Sequence, residues 1–135
     1  GKAAGTVNKV ALVIVYDKRP TGAVDATTIS NFLKTTSSAN SMNNDDYAGR
    51  FRVLKRIDLM LSGVGGVSDA GAACIDFYLD LKNRPCVYTS TAADGTIPTI
   101  EEGALYCYFL GTNPTGTTAA EFNGNARVRF IDVDG

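Results

Sequence analysis

Histidine and tryptophan are both absent from the 135 residues, and each absence closes a class of function. Without imidazole the chain cannot build a Ser-His or Cys-His catalytic pair, nor a zinc site that includes histidine. Without tryptophan it lacks the residue that immunoglobulin-type sandwiches pack between their paired cysteines. Cysteine is scarce. Cys74, Cys86 and Cys107 are an odd set with no C-x-x-C spacing and with apolar or aromatic neighbours, so buried free thiols are expected rather than a disulfide framework or a redox pair. Neither sign of charge dominates: 13 Lys and Arg against 14 Asp and Glu leave a net charge of −1. That removes bulk attraction to a polyanion, and any nucleic-acid contact must come from a local patch. Long apolar runs are missing too. The longest, VALVIVY at 10–16, is far short of the ~20 residues of a membrane-crossing helix, so no membrane partner is expected. Residues 1–5 carry neither an initiator Met nor the basic, apolar and small-residue order of a signal peptide, and read as a processed or trimmed end.

What is present is period-two alternation, punctuated by Gly, Asn, Asp, Thr and Pro. With a mass of 14.2 kDa this points to one all-β domain with a single core. Six segments read as strands: 10–16, 50–61, 74–81, 86–90, 104–110 and 126–133. The first is apolar on both parities and is therefore expected at the centre of a sheet. In 50–61, Phe51, Val53, Ile57, Leu59 and Leu61 share one parity, broken only by Lys55, while Arg50, Arg52, Arg56 and Asp58 share the other. In 74–81, Ile75, Phe77, Leu79 and Leu81 should point inward and Asp76, Tyr78 and Asp80 outward. Thr27 or Thr28 can cap a short helix over 27–34, with Ile29, Phe32 and Leu33 on one face. Crossover helices between strands are missing. An antiparallel two-sheet sandwich is therefore expected, as a jelly roll in preference to an immunoglobulin fold.

Four segments, in order, resemble the coat proteins of geminiviruses and related small circular single-stranded DNA viruses. They are LVIVYDKRPTG (12–22), RFRVLKRIDLMLSG (50–63), GALYCYFLG (103–111) and ARVRFIDV (126–133). The strand ending in VYD with its Pro-Gly turn is the most specific of them. The resemblance implies a jelly-roll subunit that self-assembles into a capsid around a single-stranded DNA genome, is found in the virion, and passes through the host nucleus during assembly. It implies no catalysis and no cofactor. It also implies a basic arm and two further strands upstream, which would make this chain the C-terminal part of a longer coat protein. The six strands would then be D to I, with I, D and G in one sheet and H, E and F in the other. Strands bearing Tyr106 and Val128 would lie open at sheet edges.

Candidate DNA contacts are Arg50, Arg52 and Arg56, with Lys55 on the opposite parity, and Lys18 and Arg19 in the turn after the first strand. Cationic grooves with aromatic platforms hold single strands, and Tyr47 stands just upstream. The plainer reading pairs the arginines with Asp76 and Asp80 across strands. Lys18, Arg19, Tyr47, Tyr106 and Val128 are the candidate subunit contacts. Asn43, Asn44, Asp45 and Asp46 crowd oxygen atoms but lack the Gly and terminal Glu of an EF-hand, so no metal is expected. Two other classes stay open. A binding sandwich could present Tyr78, Tyr88, Tyr106 and Tyr108 to a carbohydrate or cell-surface ligand, and Glu101, Glu102, Asp132 and Asp134 could serve a hydrolase if a cleft brought two of them together.

Overall fold

In the computed structural model the chain is described over residues 7–20, 33–34, 42–62, 74–88, 99–111 and 122–131. It is all-β and antiparallel. Strands β1 (Val7–Asp17), β2 (Phe51–Ser62) and β5 (Ala104–Gly111) form one sheet, in the order β2-β1-β5. Strands β3 (Val87–Tyr88) and β4 (Ile100–Glu102) form a second, two-stranded sheet. β4 was not legible in the sequence.

β1 is central because its β-branched, apolar run suits a pleated strand covered on both sides. Residues from both of its parities are buried: Ala11, Val13 and Val15 on one, Val10, Leu12 and Tyr16 on the other. Directly opposed residues share a face, so register assigns the two faces of the sheet. Ala11, Val13 and Val15 join Phe51 and Leu110 beneath Leu33, with Val53 and Tyr108 packed against them. This is the core.

β2 carries an irregularity. Ile14 opposes Lys55 and Val15 opposes Val53, so Leu54 is the extra residue of a β-bulge. A bulge exchanges the faces of everything beyond it. The expected single-parity apolar face of 50–61 is therefore divided: Phe51 and Val53 join the core face, while Ile57, Leu59 and Leu61 oppose Leu12, Val10 and Asn8 on the other.

Several expectations are corrected. Residues 74–81 and 126–131 form no strand: alternation sets side-chain parity, but a strand also needs a bonded neighbour, and no ladder reaches these segments among the described residues. The first keeps its sidedness only in part: Ile75, Leu79 and Leu81 are half-buried and Asp76, Tyr78 and Asp80 exposed, but Phe77, expected inward, is exposed as well. The second is exposed throughout. Of the expected helix, 27–32 lie outside the described residues. Leu33 instead bridges to Asn43, and the Lys34 amide donates to the Met42 carbonyl at 2.8 Å. The grouping of the first strand with 86–90 and 126–133 also fails, since β1 lies between β2 and β5. All three cysteines are exposed. Cys107 alternates with the inward Tyr106 and Tyr108 on an edge strand, away from the core.

The end of β1 meets the stretch that leads into β3. The Tyr16 hydroxyl donates to the Pro85 carbonyl at 2.7 Å, and the Arg84 guanidinium lies 5.2 Å from the Tyr16 ring centre. Gly103, between β4 and β5, has φ of 80° and passes so close to the Pro85 carbonyl that a side chain there would collide with it. Glycine is the residue that tolerates both conditions.

Candidate nucleic-acid interface

The candidate cations separate by what they already hold. Asp17 ends β1 and is fully buried, where an unpaired carboxylate would be costly. Arg50, entering β2, meets it with both arms of its fork: Nε to Oδ1 at 3.0 Å and an Nη2 to Oδ2 at 3.1 Å. The Arg19 amide donates to Oδ1 at 3.0 Å, and the Arg50 carbonyl accepts from the Lys18 amide at 2.9 Å. The guanidinium also lies 4.6 Å above the Phe51 ring centre, a cation–π arrangement. Its hydrogen bonds to Asp17 hold its pKa above the ordinary arginine value. Arg50 is thus occupied with fastening the start of β2 to the end of β1. Neither the burial of Asp17 nor its pairing carries a local spacing signal, since the partners are 33 positions apart.

Arg56 is paired as well. Its Nε lies 3.2 Å from Asp58 Oδ2, and Asp58 also meets Lys9 at 3.9 Å. Its Nη1 reaches Asn43 Oδ1 at 3.4 Å. The expected partners Asp76 and Asp80 do not provide this neutralisation; Asp58, two residues along the same strand, does.

The bulge at Leu54 overturns the shared face of Arg50, Arg52 and Arg56. Arg56 opposes Val13 on the core face, whereas Arg52 opposes Tyr16 and Lys55 opposes Ile14 on the other face. Arg52 and Lys55 are therefore brought together by the feature that separates the arginines. Both are exposed, and neither makes an ion pair or hydrogen bond among the described residues.

Lys18 and Arg19 lie where the chain leaves β1. The Lys18 ammonium reaches the Ala48 carbonyl at 3.5 Å. Lys18 also borders two open depressions. One, of about 310 Å³, is lined by Asn43, Asn44, Asp45 and Arg52 among others. The second, of about 460 Å³, sets Lys18 and Arg19 against Glu101 and Glu102. A ribbon of cations thus runs from Arg19 and Lys18 past Arg52, with Lys55 further along β2.

The polar loop spends its oxygens on itself and its neighbours. The Asp46 amide donates to Asn44 Oδ1 at 3.1 Å, and Lys34 meets Asp46 Oδ2 at 3.4 Å. Tyr47 is half exposed in the turn that delivers β2, its carbonyl accepting from the Arg50 and Phe51 amides at 2.9 Å each. The tyrosines proposed for a sugar face do not share one platform. Tyr106 and Tyr108, with ring centres 6.2 Å apart, face the core side of β5, whereas Tyr78 belongs to 74–81 and Tyr88 to β3. Glu101 and Glu102 are exposed, and Asp132 and Asp134 lie outside the described residues. Val128 is exposed in the 122–131 segment, which forms no strand, and Tyr106 is on an edge strand.

No family model matches the chain, and no curated protein matches it.

Proposed function

We propose that this chain is a structural coat subunit whose activity is self-association into a closed shell around circular single-stranded DNA. The observation that carries the reading is how the resemblance falls on the fold. The first segment resembling geminivirus-type coat proteins contains most of β1, and the second and third contain its two neighbours, β2 and β5. Segments remote in sequence are thus one sheet in space. The order β2-β1-β5 is also the order F-E-H of a jelly roll, which supports the fold while moving the first strand from D to E.

The work of such a protein is geometric. Repeated contacts between identical subunits must close by symmetry, each burying on the order of 1,200–2,000 Å². No reaction at a bond is required of any residue. The cargo contact assigned to this chain is the ribbon of Lys18, Arg19, Arg52 and Lys55, with Arg50 and Arg56 supporting it from within the fold. The virion is the location that follows, with nuclear passage during assembly.

Negative-stain electron microscopy of the purified protein, with and without single-stranded DNA, tests the proposal. Uniform closed particles that protect the DNA from nuclease are the expected result. Small discrete molecules at every concentration would overturn it and turn attention to a ligand-binding sandwich.

A further inference from the structure

Two segments outside the ladders have complementary patterns. Residues 126–131, ARVRFI, are exposed throughout, with Phe130 at 86% and Ile131 at 81%. Arg127 and Arg129 share one parity, and Val128 and Phe130 share the other. Residues 74–81, CIDFYLDL, set Asp76, Tyr78 and Asp80 on one parity and Ile75, Phe77 and Leu79 on the other. A strand pairing that matches apolar with apolar therefore also matches arginine with aspartate, and a slip of one residue would oppose both.

We propose that 126–131 of one copy adds as an antiparallel strand to 74–81 of a second copy. The proposal rests on the self-association reading and names the surfaces that meet. Antiparallel is the direction of every ladder among the described residues. The other edges fit less well. β5 has no acidic residue between Ala104 and Gly111. β2 presents Arg52 and Lys55, and its one carboxylate, Asp58, is already paired. β4 carries Glu101 and Glu102, but is three residues long.

The register follows from which carboxylate is free. Asp80 Oδ1 accepts the Lys82 amide at 2.9 Å, inside a turn where Lys82 and Asn83 have φ of 50° and 55°. Asp76 has no such partner among the described residues. Setting Arg129, rather than Arg127, opposite Asp76 keeps Val128 and Phe130 both opposite residues of 74–81, so that is the register taken. Arg127 then falls opposite Tyr78, flanked diagonally by both aspartates. On the other face Val128 meets Phe77 and Phe130 meets Ile75, and at the end Ile131 stands opposite Cys74.

That last pair supplies the test, because Cys74 is exposed and native. Two differently tagged full chains are mixed, one keeping Cys74 as its sole cysteine, the other cysteine-free except for Ile131→Cys. Mild oxidation is expected to give a mixed-tag disulfide at least several-fold above that from a matched Phe130→Cys chain, whose thiol has the wrong parity to reach the ~4.4–6.8 Å Cα separation a disulfide needs. Arg129→Asp should reduce the yield several-fold, and Asp76→Arg in the other chain should restore it. Particle formation is followed in parallel by electron microscopy. Particles without the parity-specific cross-link would overturn this pairing and leave self-association standing. Chains that remain monomeric would overturn both.

Discussion

The sheet of β1, β2 and β5 and the two segments 74–81 and 126–131 are built from the same alternation, yet their fates differ. In the sheet, every β1 residue from Val7 to Asp17 has an opposite number on β2, and those from Val10 to Asp17 have one on β5. In the segments the alternation produces at most a sided burial, and in 126–131 not even that. Period two specifies which side chains point together. It does not supply the neighbouring edge, and without that edge the backbone groups look to water or to another chain.

The largest expected effect lies where the end of β1 meets Pro85, just past the 74–81 segment. Gly103→Ala forces a side chain into positive φ and against the Pro85 carbonyl. Strain of ~1–3 kcal/mol and overpacking of similar size give an expected loss of about 4 kcal/mol, read as a lower urea midpoint. A loss of less than about 1 kcal/mol in unfolding free energy would mean that 84–86 simply lifts away. Next is Arg50→Ala, which strands the buried Asp17 carboxylate. Breaking a buried pair costs ~3–5 kcal/mol, and the partial exposure of the Arg50 side chain, 34%, places this one at the low end. Arg50→Lys should recover only part of the loss, because a single ammonium cannot make the two-armed contact.

Much of the sheet was legible because its signals are local. VALVIVY announces a central strand, and GALYCYFLG yields β5 within a residue of its observed ends. What escaped depends on pairing at long range. The bulge at Leu54 is an event of register between β1 and β2, and no composition rule marks it. Once it is in place, the apparent stripe of Arg50, Arg52 and Arg56 dissolves and Arg52 stands with Lys55 instead. Cys107 was read as buried from its apolar neighbours, but on an edge strand such neighbours flank it without covering it. Part of its burial preference persists nonetheless, since desolvation pushes its thiol pKa up.

A smaller effect sharpens the same junction. Tyr16→Phe removes the hydroxyl that holds the Pro85 carbonyl, at an expected cost of about 1 kcal/mol. The change also has a pH signature. Burial first, and then the nearby Glu102 carboxylate, raise the Tyr16 pKa above its ordinary 10.0. A raised folded pKa contributes stability that is complete below the unfolded value and is lost as pH climbs through the folded one. Urea midpoints measured from pH 8 upward should therefore fall above pH 10 in the parent and fall less steeply in Tyr16→Phe. Parallel slopes would show that Tyr16 leaves the junction before it ionises.

The smallest expected change in stability belongs to Arg52→Glu with Lys55→Glu. Both side chains are exposed and make no ion pair or hydrogen bond among the described residues, so the unfolding free energy should change by less than about 0.5 kcal/mol. DNA binding should respond much more. For single strands the slope of log affinity against log salt changes by roughly 0.7 for each phosphate contact, so losing both should flatten it by about 1.4. Arg56→Glu makes the contrast, since Asp58 and Asn43 already occupy that guanidinium. Its reversal should lower stability while leaving the salt slope near the parent's. If Arg56→Glu flattens the slope and the Arg52, Lys55 double variant does not, the cargo lies against the core-side edge of β2, and the division of cations imposed by the bulge has no part in holding DNA.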